Sequence, residues 1–206
     1  MREPSRVARA RPGPRGEHDR EGFAVLVAEA AERIVRTDGA RALGMRRLAA
    51  AVGYAPNSIY NAVGGLDAVV LRVNARSLRR LGDALAAALD PGAQPRDNAA
   101  ALATAYLGFV QADPAVWGLV HGYAFAPDVT APEWHADALA RAVAPVEATL
   151  QPLVQDPEER GRLVAALWAA LHGLAALATS GKLAGLSADP PEDLARLLVG
   201  RVLGAP

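Results

Sequence analysis

The chain has 206 residues, 51% of them apolar, with no cysteine and with acidic and basic side chains equal in number. That length holds one large domain, or a small one joined to a larger, with ample apolar material for a core. The missing cysteine excludes disulfides and thiolate metal sites and fits a reducing compartment, the cytoplasm.

Aromatic residues are few and alanine is abundant, so the apolar faces must pack at close range, most readily as helices. The zero net charge hides an asymmetry. Through Gly65 there are eleven arginines against seven acidic residues, a net +4; from Leu66 onward eleven basic residues face fifteen acidic ones, a net −4. A positive front on an acidic body suits a protein that sets one end on a polyanion. The single lysine, Lys182, reads as the codon usage of a GC-rich genome.

Met1–Gly16 carries Arg2, Arg6, Arg9, Arg11 and Arg15 among Pro, Gly and Ala, a composition that builds no core. It has no apolar run of the kind a secretory signal needs. Two readings stand side by side: a basic arm that tracks phosphates or enters a minor groove, and a leader without a role.

A first helix is expected over Asp19–Asp38, with Phe23, Val27, Ala30 and Ile34 on one face and Leu26 widening it. Gly39 suits its end. A second helix over Met45–Val52 and a third over Pro56–Val63 are joined by a tight turn. Ala49 is small where the two cross, Gly53 fits a turn that needs positive φ, and Ile59 anchors the third helix. Small–glycine–aliphatic at these offsets is the sequence form of a helix-turn-helix, whose second helix enters the major groove.

On the third helix Ile59 and Ala62 point inward, leaving Pro56, Asn57, Ser58, Tyr60 and Asn61 outward. Asn pairs with adenine, Ser serves base or phosphate, and Tyr holds a phosphate oxygen. Arg46 and Arg47 open the second helix beside the backbone, and Gly44 offers its N–H there. Tyr54, in the turn, either caps the core or touches the groove.

Gly64-Gly65 breaks the chain before a long helix, Leu66–Leu89, with Val70, Val73, Ser77, Leu81 and Leu85 along one side. Further helices are expected at Arg96–Ala112, Ala115–Gly122, Pro132–Val154, Glu158–Ser180 and Glu192–Val202, separated mostly by proline. No run alternates like a half-buried strand. The expectation is an all-α protein of three parts: a basic arm (1–17), a helix-turn-helix domain (18–65) and a larger helical domain (66–206), to which the family resemblance described below assigns ligand binding and dimerisation. Leu163–Gly181 is uncharged, but His172, Thr179, Ser180 and seven alanines make it a bundle helix rather than a membrane span.

In the last part Tyr106, Phe109, Trp117, His121, Phe125, Trp134, Trp168 and His172 are the scarce large or polar groups. Each is either a packed core residue or part of a cavity wall. Trp and His four apart share a helix face in Trp117–His121 and again in Trp168–His172. The last two helices carry Leu and Ala on more than one side, which a second copy of the chain would cover as a four-helix interface. Burial of the penultimate helix within one chain is the competing account.

Over about Phe23–Val73, with MRRLAAAVGYAPNSIYNAVGGLDAVV at its centre, the chain resembles the TetR family of bacterial transcriptional regulators. Trp168-Ala-Ala-Leu-His172-Gly173 resembles the Trp–His–Gly motif of one subset of their C-terminal domains. The resemblance implies a homodimer on a palindromic operator and a small-molecule cavity, with repression relieved when the cavity fills. Three positions depart from the family. Ala62-Val63 stand where His-Phe is usual, and Leu66 replaces a phosphate-gripping lysine, so affinity leans on Arg46, Arg47 and the arm.

Two other readings remain. One is a DNA-binding regulator with no small-molecule effector. The other is a helical-bundle enzyme using His121, His172 or clustered carboxylates. The sequence lacks the Glu-x-x-His pattern, a phosphate loop and a nucleophile elbow, so no cofactor, metal or catalytic residue is expected.

Overall fold

The computed structural model describes residues 17–204, all helix and loop, with no strand among the described residues. The arginine-rich Met1–Gly16 lies outside the described residues.

Helix α1 (Glu17–Asp38) buries Phe23, Val27, Ala30 and Ile34, and Ala24, Ala31 and Val35 widen that face. Leu26, expected on it, is 39% exposed. The buried arc extends the other way round the helix, and Leu26 falls roughly 120° from its centre. A single 3-10 turn, Ala40–Ala42, leads to α2 (Met45–Val52), followed by α3 (Pro56–Val63). These three helices pack on one another, with Leu48, Ala49, Ile59 and Val63 buried among them. Gly53 ends α2 at φ 75°, the left-handed conformation a side chain disfavours, and its N–H caps the Ala49 carbonyl.

Helix α4 (Leu66–Ala87) is about 33 Å long and buries Val70, Val73, Ser77, Leu81 and Leu85. The chain forms two compact units whose division falls inside this helix. The first unit takes α1–α3, α4 as far as Asn74, and Gly118–Ala131; the second takes Ala75–Trp117 and the chain from Pro132. The first half of α4 holds the Gly118–Ala131 segment. Tyr123 donates its hydroxyl to Asp67 Oδ1 at 2.6 Å, and Asn74 Nδ2 donates to the Leu119 carbonyl at 3.4 Å.

The second unit draws on α5 (Pro95–Ala112), the start of α6 (Pro114–Gly122), α7 (Glu133–Leu150), α8 (Pro157–Thr179) and α9 (Pro191–Val202). Helix α5 packs against α7, α8 and α9, and α8 packs against α7 and α9. Prolines open these helices: Pro95, Pro157 and Pro191 occupy the first turn, where a missing N–H costs nothing. Asp156 caps α8 by accepting the Glu158 N–H at 3.0 Å. Helix α7 stops four residues short of the expected Val154, because Pro152 cannot continue its hydrogen-bond ladder.

Candidate functional site

In the first unit, α3 is fixed from beneath by Ile59, fully buried, and Val63. Pro56, Asn57 and Asn61 are exposed on its outer side, Tyr60 is 63% exposed, and Ser58 and Ala62 are half-buried. Two adjacent turns of a short helix therefore offer two amides, a phenol and a hydroxyl to the outside.

On α2, Arg46 and Arg47 are exposed, and Arg47 pairs with Asp38 of α1. Gly44 caps α2 in extended conformation. Tyr54 packs part of its ring against α1. Its ring meets Phe23 edge-on at 4.7 Å and is half-buried, because the turn after Gly53 folds it back onto α1.

The second unit holds an apolar cavity of about 50 Å³. It is lined by Leu85 of α4 and by residues of α5, α7, α8 and α9, among them Leu102, Ala103, Tyr106, Val146, Thr149, Leu167 and Trp168. Tyr106 and Trp168 form its aromatic wall, with ring centroids 5.6 Å apart. Trp117 meets Tyr106 edge-on at 6.0 Å and lies tilted against Trp168 at 6.2 Å, and Phe109 meets Trp117 edge-on at 5.4 Å. His172 Nδ1 lies 3.2 Å from the Tyr106 hydroxyl. Burial pushes Tyr106 up to about 12, with a side-chain interaction from Trp117 opposing, and burial lowers His172.

Five of the eight expected cavity residues thus gather at one place: Tyr106, Phe109, Trp117, Trp168 and His172. The other three lie elsewhere. His121 is exposed in the last turn of α6, Phe125 packs on Tyr123 at 4.9 Å, and Trp134 sits beside His135 at the start of α7. Most of the wall is aliphatic, and those residues carry no sequence signal beyond the spacing of any buried helix face.

A helix-turn-helix unit with an outward polar helix, followed by a helical unit around an apolar cavity, defines a class of regulatory proteins. Residues 99–202, half of the chain, match the family described as "Tetracyclin repressor-like, C-terminal domain". The chain belongs to the TetR family of transcriptional regulators. Among solved structures it is similar to a protein of unknown function from Rhodococcus sp. RHA1. That pair is 22% identical, with a TM-score of 0.71, covering 88% of this chain and 93% of the other. It is also similar to a TetR-like transcriptional regulator from the same organism, at 21% identity and TM-score 0.60, covering 93% and 100%. A third likeness is the TetR family transcriptional regulator PfmR from Thermus thermophilus, at 16% identity and TM-score 0.57, covering 86% and 96%. No curated protein matches the sequence.

Proposed function

We propose that the protein is a homodimeric repressor that works in the cytoplasm and leaves a palindromic operator when a small molecule fills the second-unit cavity. The observation that carries this reading is the outer face of α3. Asn57, Tyr60 and Asn61 stand free of the core while Ile59 is wholly buried beneath them. Asn57 reads a base edge, Tyr60 and Ser58 hold phosphates, and Pro56 and Asn61 border the same groove. Arg46, Arg47 and the Gly44 N–H grip the backbone nearby, Arg47 exchanging Asp38 for a phosphate.

The dimer supplies two such helices, spaced one duplex turn apart, about 34–36 Å. Its proposed seam is α8 with α9. Helix α8 is long and apolar enough for a membrane span, with a mean hydropathy of 1.5, yet only 17% of that stretch is buried in one chain. Its exposed side is small: Ala165, Ala166, Ala169, Ala170, Gly173 and Ala176. On α9, Leu197 and Val202 are 57% and 44% exposed. A face this apolar and this smooth fits a second helix laid closely against it.

Release follows from what the ligand touches. Leu85, on the wall of the cavity, belongs to α4, whose first turn lies at the end of α3. A ligand shifts DNA affinity only by its preference for one of two arrangements, typically ~1–3 kcal/mol.

The test is selection of bound fragments from the source genome with purified protein, followed by titration of the recovered site. Binding should fall steeply with salt, and Asn57→Ala should weaken it most at one base position. A flat salt response, or selection of no common sequence, defeats the reading. A regulator with no effector is the second reading, favoured by the small size of the cavity.

A further inference from the structure

The walls of the second-unit cavity specify their occupant more narrowly than ligand binding alone. No Asp, Glu, Lys, Arg or His is among the fourteen lining residues. Only Tyr106, Thr149 and Trp168 bring polar side-chain atoms, and the two hydroxyls are engaged. Tyr106 meets His172 Nδ1 at 3.2 Å, and Thr149 donates to the Pro145 carbonyl at 2.8 Å. Both residues are themselves more than nine-tenths buried. An ion placed here would find no counter-charge, and a ligand acceptor or donor would have to displace the partner that each hydroxyl already has.

Size adds a second constraint. The space is about 50 Å³, a third of the roughly 150 Å³ of an apolar cavity that admits benzene. An occupant of ordinary ligand size has to push the wall outward. The wall can yield, since it consists largely of Leu, Val and Ala side chains from five helices and moving them breaks no hydrogen bond.

We propose that the cavity takes an uncharged, hydrocarbon-rich small molecule larger than its present volume and rejects carboxylates and amines of the same shape. The proposal rests on the ligand-responsive reading above and narrows it. An occupant bigger than the empty space binds only the expanded arrangement, and differential affinity of that kind is what a switch requires.

The test sets isosteric pairs against the full-length dimer: isopropylbenzene against benzoate, and ethylbenzene against benzylammonium. Binding is read from the melting temperature and from the fluorescence of Trp168 on the wall. The hydrocarbons should bind at least tenfold more tightly than their charged partners. Ala103→Phe, which fills the space from α5, should abolish their effect, with Val146→Phe doing so from α7 if the first variant fails to fold.

Charged probes within threefold of the hydrocarbons would overturn the proposal. So would hydrocarbon binding that survives a folded cavity-filling variant, or no binding by any probe. A separate gel-shift on the selected operator tests the parent reading. Hydrocarbons that bind without releasing DNA defeat the repressor switch and leave the ligand class standing. Charged ligands that release DNA do the reverse.

Discussion

Gly82 of α4 lies against the main chain of Arg141 in α7 so closely that a Cβ there would sit 2.9 Å from the Arg141 carbonyl oxygen. The same carbonyl lacks its helical donor, because the residue four positions on is Pro145, which has no N–H. The proline frees the oxygen and the glycine lets α4 approach it. One turn of contact is completed by Arg141, whose guanidinium holds Asp83 at 2.7 Å.

Gly82→Ala should therefore destabilise the protein despite alanine's better helix propensity, worth about 1 kcal/mol. The obstacle is main chain rather than a flexible side-chain end, so the helices must separate, at a cost of about 1–3 kcal/mol. Net loss should be up to about 2 kcal/mol by denaturant unfolding. A stabilised variant would show that the approach of α4 to α7 carries no strain.

Alkaline stability follows from the two raised tyrosines. Burial, followed by the hydrogen bond and the charge of Asp67, pushes Tyr123 up to about 12, and burial pushes Tyr106 to about 12. The ordinary value is 10. Since the folded chain keeps these protons longer than the unfolded one, the stability they contribute is whole below pH 10. It is lost as pH climbs from 10 toward 12. Tyr123→Phe should lose about 1 kcal/mol near neutrality, a hydrogen bond to a carboxylate in a half-exposed setting. It should also show a shallower fall above pH 10 than the parent protein. Parallel curves for the two would separate Tyr123 from this behaviour.

The helix-turn-helix was legible because its signals are local. Gly53 needs positive φ, Ile59 needs cover, and both needs are written within a short stretch of chain. Helix existence in the second unit was also readable from periodicity. The ends of the helices there were harder, since Pro95, Pro157 and Pro191 served as first-turn residues rather than separators. The cavity was only half visible. Tyr106 and Trp168 stood out as rare large groups, but so did Trp134 and Phe125, which pack elsewhere. Which aromatic joins a wall depends on contacts between α5 and α8, such as Tyr106 with His172, 66 residues apart in the chain. Leu85 and Val146 look like any core residue. The Gly82–Pro145 partnership is likewise invisible in one dimension, because each is locally only a flaw in a helix.

On the acid side, burial lowers His172 below its ordinary 6.5, and burial lowers His135 as well. The unfolded chain then takes up these protons first as pH falls. Their contribution is whole above pH 6.5 and is lost progressively below it. His172→Asn keeps an acceptor for the Tyr106 hydroxyl and cannot titrate in this range. It should flatten the decline between pH 6.5 and 5 in the second unit, with stability near pH 7.5 changed by about 1 kcal/mol or less. Thermal melts at half-unit pH steps measure this. A decline as steep in the variant as in the parent would assign the acid sensitivity to His135 or to carboxylates.

The seam proposed on α8 makes the sharpest structural prediction. Ala169 is exposed at the middle of its small-residue side, between Ala165 and Gly173 one turn to either side. Ala169→Arg puts a long charged side chain where a partner helix would lie, and burying it unpaired costs several kcal/mol. Within one chain the same arginine reaches solvent, so its effect on a monomer stays within about 0.5 kcal/mol. Sedimentation should therefore show the parent as a dimer and the variant as a folded monomer of unchanged helicity. The variant should also lose operator binding, because one reading helix alone spans a single half-site. Ala169→Ser, small and uncharged, should remain dimeric. A dimer that tolerates the arginine would move the seam to another face and leave the apolar side of α8 to a different partner.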